Sequence, residues 1–471
     1  MAAGAGTRLR QPGQPPKPLH RLHGLPLLER AIRCAQQVGC AEILVVTGCE
    51  AERVEAWLKR EHAPERTGGR VRWLRADDWP RGNGASLLAA ARALRAEPFL
   101  LLMADHAMDV TPARTAVEAA AAHRDALAEG AALLVTDARL DRVYDPAEAT
   151  KVRLDRGRVT AIGKDLDPFD AVDTGVFVGS PGLIAALRQL AEERKAAPSG
   201  GNEDLTLTAA AARLAAAGRL LACPLEDGWW VDVDDAAAWR HASALALQAA
   251  TRSGGDGPVA RYLNRPLSRR LTRLLARTPV TPNQITFIAF ALAVAASTCF
   301  ALGQPALGGL LCQLASVVDG CDGELARLRL EARPSGALLD TVLDRYADAA
   351  VITGLILGAL GQATWPPALV WAAGLAALAG APLSALIKDR LRLLSHDPAA
   401  AQRRYDPLRD DPPFLRLLPG NRDGRSLIVA LAGLLGQPAV ALAALALVTH
   451  LLAFGRLGHG LRSLEQRAAT P

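Results

Sequence analysis

The run Asp319-Gly-Cys-Asp322-Gly-Glu-Leu-Ala-Arg327, followed by Gly336, Asp340 and Asp344, sets four carboxylates in or beside apolar stretches. Asp319 and Asp322 are three residues apart and Asp340 and Asp344 four apart, so on helices each pair shares one face. Two such helices aim four oxygen ligands at a common point. An unpaired carboxylate in or near hydrocarbon is expensive, and a divalent cation is the simplest compensation. Two hard cations held there would neutralise a pyrophosphate, stabilise a departing nucleotide and lower the barrier for an incoming hydroxyl, with one carboxylate taking the proton. Gly323 and Ala326 remove bulk where a nucleotide approaches the helix, and Arg327 offers a planar fork for a phosphate or a carboxylate. Asp348 extends the acidic stripe by one turn.

A second set of candidates lies in the first half. Gly4 and Gly6 form a flexible turn whose backbone N–H groups can cradle phosphates, with Arg8 and Lys17 as cations for a triphosphate. Asp105 ends an apolar run and Asp232 lies in Trp230-Val-Asp-Val-Asp234. Carboxylates at strand ends of an open α/β sheet are where a nucleotide-bound Mg²⁺ is gripped. His106 reads as a polar neighbour of Asp105, and Asp234 with Asp235 as the start of a helix.

These groups need scaffolds of two kinds. Up to about residue 250, β-rich runs such as 42–47, 98–103 and 131–136 alternate with helical stretches such as 26–38 and 112–128. That rhythm predicts a mostly parallel sheet covered by helices, a three-layer, Rossmann-like α/β domain over residues 1–250. Ser253-Gly-Gly-Asp-Gly-Pro258 cannot continue a helix, and a linker is placed at 251–258. Residues 259–278 interleave arginines with Leu263, Leu267, Leu271, Leu274 and Leu275, the pattern of an amphipathic helix lying along an anionic leaflet.

Six apolar segments follow, at about 285–302, 305–322, 336–360, 366–387, 425–436 and 438–456. They predict an all-α polytopic membrane domain of six transmembrane helices over 279–471. Arg and Lys crowd the stretch before the first segment, the 324–335 and 388–425 loops and the tail, while the loops near 303, 362 and 437 have none. This places both termini and the first domain on the cytoplasmic side of the cell membrane.

The chain has 471 residues, 50% of them hydrophobic, and a formal net charge of +6. Its basic residues form no long run and alternate with acids in the first half, which argues against a nucleic-acid partner. Only six of the 54 basic residues are lysines, so each surviving lysine marks a position where a compact, rotatable ammonium matters. Seven cysteines show neither a C-x-x-C pair nor zinc-type spacing and read as reduced and structural. No signal-peptide pattern argues that the first domain is exported.

The pattern D-x2-D-G-x2-A-R-x8-G-x3-D-x3-D is met at every position and resembles the CDP-alcohol phosphotransferase family. The resemblance implies Asp319, Asp322 and Asp340 as metal ligands and Asp344 as base and further ligand. It also makes Asn283 and Thr286 of Pro282-Asn-x-x-Thr286 nucleotide contacts, and implies a homodimer through the membrane domain. The first half, with Arg81-Gly-Asn-Gly-Ala-Ser86 and Ala104-Asp-His106, resembles sugar-phosphate nucleotidyltransferases. That implies triphosphate contacts at Gly4, Gly6, Arg8 and Lys17, nucleotide contacts at Asn83 and Ser86, and a metal pair at Asp105 and Asp232. Lys151 and Lys164 would meet the sugar phosphate, and Val172-Asp-Thr-Gly175 its hydroxyls. Families of this kind begin with an apolar strand leading into the Gly-rich turn. This sequence starts inside the turn, so a preceding strand is expected.

The order of these motifs, with Pro419-Gly-x-Arg422-Asp-x-Arg425, resembles the bifunctional family that joins a CTP:inositol-1-phosphate cytidylyltransferase to a di-myo-inositol-phosphate-phosphate synthase. The resemblance implies that CTP and inositol 1-phosphate give CDP-inositol, which a second inositol 1-phosphate attacks, with Mg²⁺ or Mn²⁺ at both sites. Arg422 and Arg425 are expected to clamp the acceptor's phosphate. Two rival readings are a lipid enzyme making a phosphoinositide-like product, and a membrane-anchored scaffold with an inactive first domain.

Overall fold

The computed structural model describes residues 1–4, 6, 8–9, 13–196, 204–251, 257–394 and 410–468. Contacts divide the chain into two compact units, Met1–Leu247 and Gln248–Pro471. Residues 252–256 of the expected linker lie outside the described residues.

In the first unit the short pair β1 (Arg21–Leu22) and β2 (Leu25–Pro26) leads into α1 (Leu27–Gln37), then β3 (Ile43–Thr47), α2 (Ala51–Glu61), α3 (Pro64–Thr67) and β4 (Val71–Arg75). After α4 (Asn83–Ala90) come β5 (Phe99–Leu102), β6 (His106–Met108), α5 (Thr111–Ala122), α6 (Arg124–Ala128) and β7 (Ala132–Asp137). The hairpin of β8 (Lys151–Asp155) and β9 (Arg158–Gly163) precedes the long β10 (Ala171–Gly179) and α7 (Pro181–Ala196). The unit closes with α8 (Leu207–Ala216), β11 (Leu220–Pro224), β12 (Trp230–Asp232) and all but the last turn of α9 (Ala236–Thr251), which from Gln248 counts with the second unit.

The main sheet runs β5-β10-β7-β11-β9-β8, with a separate β3-β4 pair. Among the described strands β7–β11 and β3–β4 pair in parallel, while β10 runs antiparallel to β5, β7 and β8. The sheet is therefore mixed, which corrects the mostly parallel expectation. Part of the cause is local, since Arg156 and Gly157 both have positive φ and reverse the chain tightly, so β8 and β9 form a hairpin with no helical crossover. The rest is long-range, because β10 meets β5 and β7 from distant parts of the chain. Leu134, Phe177 and Leu220 are buried in it, and α7 and α8 cover it with Leu183, Leu187, Ala210 and Ala211.

Met1–Ala3 lie between β3 and β5. The Ala2 N–H donates to the Val46 carbonyl and the Ala104 N–H to that of Met1, each at 2.8 Å. Beside this short pairing, β3 and β5 flank a groove of about 410 Å³ lined mostly by apolar residues, including Leu28, Ile32, Val45 and Leu101.

The second unit is helical. A wide turn (Ala260–Asn264) enters α10 (Arg265–Leu275), and α11 (Pro282–Ala301), α12 (Pro305–Leu328), α13 (Pro334–Gln362) and α14 (Pro367–Leu394) follow. Then come α15 (Pro413–Leu417), α16 (Arg422–Leu434) and α17 (Pro438–Ala468). Proline opens six of these helices, a position where its missing N–H is no loss. Thr281 and Gln284 form a reciprocal cap at the start of α11.

Among the described residues three helices are long and apolar enough to cross a membrane: Pro282–Ala301, Pro367–Leu394 and the Pro438–Arg462 part of α17. Helices α12 and α13 carry the acidic motif, and α16 has only 13 residues.

Small residues let the helices approach closely. A Cβ on Gly354 would lie 2.3 Å from the Ser297 carbonyl oxygen and one on Gly358 2.5 Å from that of Phe300, so α13 packs directly on the backbone of α11. Large apolar side chains such as Phe287, Leu310, Leu375 and Leu447 remain exposed.

Helix α10 leaves leucines and the arginines Arg269, Arg270 and Arg273 exposed, and turns a separate stripe of small polar residues inward. Asn264, Ser268 and Thr272 are buried, while Leu267 is 46% and Leu274 63% exposed. The inward face is organised by Glu324 of α12, which is fully buried and accepts from Arg265 Nη1 at 2.8 Å, Ser268 Oγ at 2.6 Å and Thr272 Oγ1 at 2.7 Å. Three donors satisfy a carboxylate that would otherwise destabilise the packing.

Candidate active sites

In the first unit a cavity of about 440 Å³ opens at the ends of the strands, with Gly4, Arg8, Ser86, Asp105, Lys164 and Asp232 among its lining residues. Asp105 follows β5, His106 begins β6 and Asp232 ends β12, which pairs antiparallel with β6 and sets Asp232 opposite His106. One ligand atom from each of Asp105, His106 and Asp232 lies within 4.8 Å of the others. The His106 ring stacks on Trp230 with centroids 6.1 Å apart, and its Nδ1 is 3.0 Å from Asp105 Oδ1. The opposite side of that ring is available only because residue 175 is glycine: with φ +74° and a would-be Cβ 2.6 Å from His106 Nε2, no side chain fits.

Lys17 is 4% exposed, and its Nζ lies 2.6 Å from Asp234, 3.2 Å from Asp105 and 3.6 Å from Asp232. Burial opposes its charge, but the three carboxylates outweigh burial and raise its pKa above the usual lysine value. Burial likewise works against the ionised Asp105 carboxylate, yet Lys17 and His106 hold its pKa far below the ordinary range. His106 is pushed up to about 9, because Asp232 and Asp105 favour the imidazolium more strongly than burial disfavours it. Burial also pushes Asp173, across the cavity, up to about 6.

Several expected contacts sit at this cavity and others do not. Gly6, at φ +58°, leaves room for the Lys17 stem 2.5 Å from its would-be Cβ. Asn83 lines the wall, but its Oδ1 accepts the Leu207 N–H at 2.7 Å and so fixes the start of α8. Asp173 and Gly175 line the cavity with Lys164. Lys151 does not; its Nζ lies 5.5 Å above the Phe169 ring. Sequence reasoning missed Tyr144, which lines the wall and packs on His241 at 5.0 Å between ring centroids. It also misread Asp234: alternation along an extended chain puts Asp232 and Asp234 on one side, a signal present in Asp232-Val-Asp234.

In the second unit α12 supplies Asp319 and Asp322, and α13 supplies Asp340 and Asp344. Carboxylate oxygens of Asp319, Asp340 and Asp344 lie within 4.8 Å of one another. Asp322 is held beside them, accepting the Thr286 Oγ1–H at 2.6 Å and its neighbour Gly323's N–H. The Gly336 backbone leaves space that Asn283 Oδ1 borders, 3.6 Å from the would-be Cβ.

Arg422, at the start of α16, is ion-paired through Nη1 with Asp319 and, at 2.6 Å, with Asp344. Arg425 Nη2 donates to Asp348 at 2.7 Å and its Nη1 to the Gly420 carbonyl at 3.1 Å. Both arginines thus reach the acidic stripe. Half-buried Ala326 lies on the same helix, and the Arg327 Nε donates to the Ala250 carbonyl at 2.7 Å.

A hard divalent cation fits both groups. Among the described residues nothing donates a hydrogen bond to the buried Asp340 Oδ1, and Asp319, Asp340 and Asp344 converge with oxygen donors only. At the first site the Asp105 and Asp232 carboxylates offer the oxygen donors, with His106 beside them.

Residues 1–204 match the MobA-like NTP transferase domain, and residues 279–396 match the CDP-alcohol phosphatidyltransferase family. Fold and sites therefore define a transferase that joins a nucleotidyltransferase-like domain to a helical CDP-alcohol phosphatidyltransferase domain. The chain is 41% identical over 446 residues to the bifunctional IPC transferase and DIPP synthase of Rubrobacter xylanophilus, covering 94% of this chain and 92% of that protein. The protein of the same name from Thermococcus kodakarensis is 32% identical over 472 residues, covering 100% and 98%. That of Aquifex aeolicus is 31% identical over 454 residues, covering 96% and 95%. This chain belongs to the family of bifunctional IPC transferases and DIPP synthases.

Proposed function

We propose that the first unit joins CTP and inositol 1-phosphate into CDP-inositol with release of pyrophosphate, and that the second transfers the inositol phosphate of CDP-inositol to a second inositol 1-phosphate with release of CMP. The product is di-myo-inositol phosphate phosphate, a phosphorylated precursor of a compatible solute. The observation that carries the reading is the presence in one chain of two separate acidic centres, one beside a cation-lined cavity at strand ends and one between apolar helices.

At the first site a phosphate oxygen of inositol 1-phosphate attacks the α-phosphorus of CTP and the bond to pyrophosphate breaks. Arg8 and Lys17, with the Gly4–Gly6 turn, hold the triphosphate, and Ser86 and Asn83 border the nucleoside. Lys164 meets the incoming phosphate, and Asp173 and Gly175 face the ring hydroxyls. Lys151 belongs to this group only if its ammonium leaves the Phe169 ring. Asp105 and Asp232 hold the metal ion.

At the second site Asp319, Asp322 and Asp340 hold metal, and Asp344 ligates or takes the proton of the attacking hydroxyl. That hydroxyl forms a new bond to the phosphorus that bears inositol, and CMP leaves. Asn283, Thr286, Gly323, Ala326 and Arg327 face the cytidine diphosphate, and Arg422 with Arg425 draw in the acceptor phosphate. Mg²⁺ or Mn²⁺, when bound at either site, neutralises the phosphate oxygens and stabilises the leaving group.

The second unit is read as a six-helix membrane domain with both termini and the first domain cytoplasmic, working as a homodimer in the cell membrane. The outward leucines of α10, beside its arginines, suit the headgroup region of an anionic leaflet.

Labelled CTP and inositol 1-phosphate incubated with the detergent-solubilised chain are expected to give a water-soluble phosphorylated product. Label recovered only in the organic phase refutes the soluble acceptor in favour of a lipid. Asp105→Ala is expected to abolish pyrophosphate release. Asp344→Asn is expected to leave that release intact and stop consumption of CDP-inositol. A chain that releases no pyrophosphate from CTP before any substitution defeats the reading of the first unit.

A further inference from the structure

Beyond β12 the two acids Asp234 and Asp235 part company. Asp235 turns toward α9, where its Oδ1 accepts the Ala238 N–H at 2.7 Å, the bond of an N-cap. Asp234 turns the other way. Its Oδ1 accepts from Lys17 Nζ at 2.6 Å and its Oδ2 from Arg8 Nη2 at 2.6 Å, so each oxygen holds a different cation. Asp234 lies outside the trio of Asp105, His106 and Asp232 whose ligand atoms converge.

The distances rank the partners of Lys17. Its ammonium is nearer to Asp234 than to either Asp105 or Asp232. That ranking matters because Asp105 and Asp232 are needed elsewhere, and a lysine anchored only by them would compete for the same oxygens. Asp234 gives the ammonium a partner of its own, and with a long, flexible stem such an anchor decides where the charge points. The Arg8 pair is more exposed, with side chains 64% and 35% accessible, and is weakened by water. Lys17, at 4%, is the cation through which Asp234 acts most strongly.

We infer that Asp234 is a positioning residue for the triphosphate of the nucleotide: it sets Lys17, and secondarily Arg8, at the mouth of the cavity without itself binding metal. The inference rests on the reading of Lys17 and Arg8 as the cations that hold CTP.

The test uses the full-length chain and the variants Asp234→Asn, Asp234→Glu, Lys17→Ala and Lys17→Ala/Asp234→Asn. It measures pyrophosphate release against CTP and Mg²⁺, and CTP binding by calorimetry without inositol 1-phosphate. Asp234→Asn is expected to raise both KM and Kd for CTP about tenfold, the size of one lost charge-assisted contact, with kcat and the half-saturating Mg²⁺ concentration within about twofold. The double variant is expected to match Lys17→Ala, because the two residues act as a unit.

A shift in the Mg²⁺ requirement with unchanged CTP affinity makes Asp234 a metal ligand and overturns the inference. So does additivity in the double variant, or Asp234→Asn indistinguishable from the parent. If Asp234→Asn does not fold, Asp234→Glu decides, since moving the carboxylate by one methylene should weaken CTP binding about threefold and leave the Mg²⁺ requirement unchanged. For that variant, unchanged CTP binding or an altered Mg²⁺ requirement overturns the inference. Lys17→Ala with normal CTP affinity overturns the underlying reading, and the inference with it. Loss of the Asp234 effect beside a normal Lys17 effect overturns the inference alone.

Discussion

The Thr286 hydroxyl donates to Asp322 Oδ2 at 2.6 Å, tying the first turns of α11 to the acid-bearing part of α12. Asp322 is 9% exposed, so the bond fixes one carboxylate of the motif in a place where water gives little help. Thr286→Val keeps the shape and removes the donor. It is expected to cost about 1–3 kcal/mol, to raise the Mg²⁺ concentration needed for CDP-inositol consumption, and to leave pyrophosphate release from CTP unchanged. Metal titrations of the two half-reactions read both effects.

Arg422 stands between Asp319 and Asp344, where its guanidinium compensates the carboxylates as a cation would. Arg422→Ala is expected to lower CDP-inositol turnover by raising the KM for acceptor inositol 1-phosphate at least about tenfold, as expected for loss of a bidentate phosphate partner. With one competitor gone, the half-saturating Mg²⁺ concentration of that step should fall or stay constant. A raised Mg²⁺ requirement with normal acceptor KM would show that the arginine serves only the carboxylates.

Gly354 lets α13 lie on the backbone of α11, and an added Cβ would meet the Ser297 carbonyl oxygen at 2.3 Å. Backbone cannot yield as a flexible side chain does. Gly354→Ala is expected to destabilise the helical unit by about 1–3 kcal/mol and to separate Asp340 and Asp344 from Asp319. Thermal unfolding in detergent reads the first effect, and loss of CDP-inositol consumption beside normal pyrophosphate release reads the second.

Glu29 of α1 accepts from His62 Nε2 and Arg33 Nε, each at 2.7 Å. Burial would raise its pKa, but the His62 and Arg33 hydrogen bonds and charges outweigh that and leave it below the ordinary value. A carboxylate depressed in the folded state stabilises the fold above its unfolded pKa of about 4.3 and loses that contribution as pH falls through it toward the lower folded value. Stability of the parent chain should therefore drop below about pH 5, and Glu29→Gln should flatten that part of the curve. Tryptophan fluorescence during acid titration checks it, Trp57 lying against His62 with ring centroids 5.6 Å apart.

Much of the fold was legible. The runs at 42–47, 98–103 and 131–136 are β3, β5 and β7, and the stretches at 26–38 and 112–128 are α1 and the α5–α6 pair. Hydrophobic periodicity is local, so these elements announce themselves. The antiparallel ladder of β10 was not legible, because strand pairing joins residues far apart in the chain. The amphipathic nature of α10 could be read, but not which face turns inward. That choice follows from Glu324, whose carboxylate finds its donors only once α10 and α12 are packed.

The sequence by itself determined which carboxylates of the second site share a face, because their spacings along two helices are fixed. It also determined the α/β rhythm of the first unit. Only the tertiary structure decided which charges meet: Arg422 with Asp319 and Asp344, Asp234 with Lys17 and Arg8, and Lys151 over Phe169 away from the cavity. The reason is range. Helical and strand periods act over a few residues, whereas an ion pair between residues 217 positions apart exists only after packing has placed both and removed the water that would otherwise solvate them.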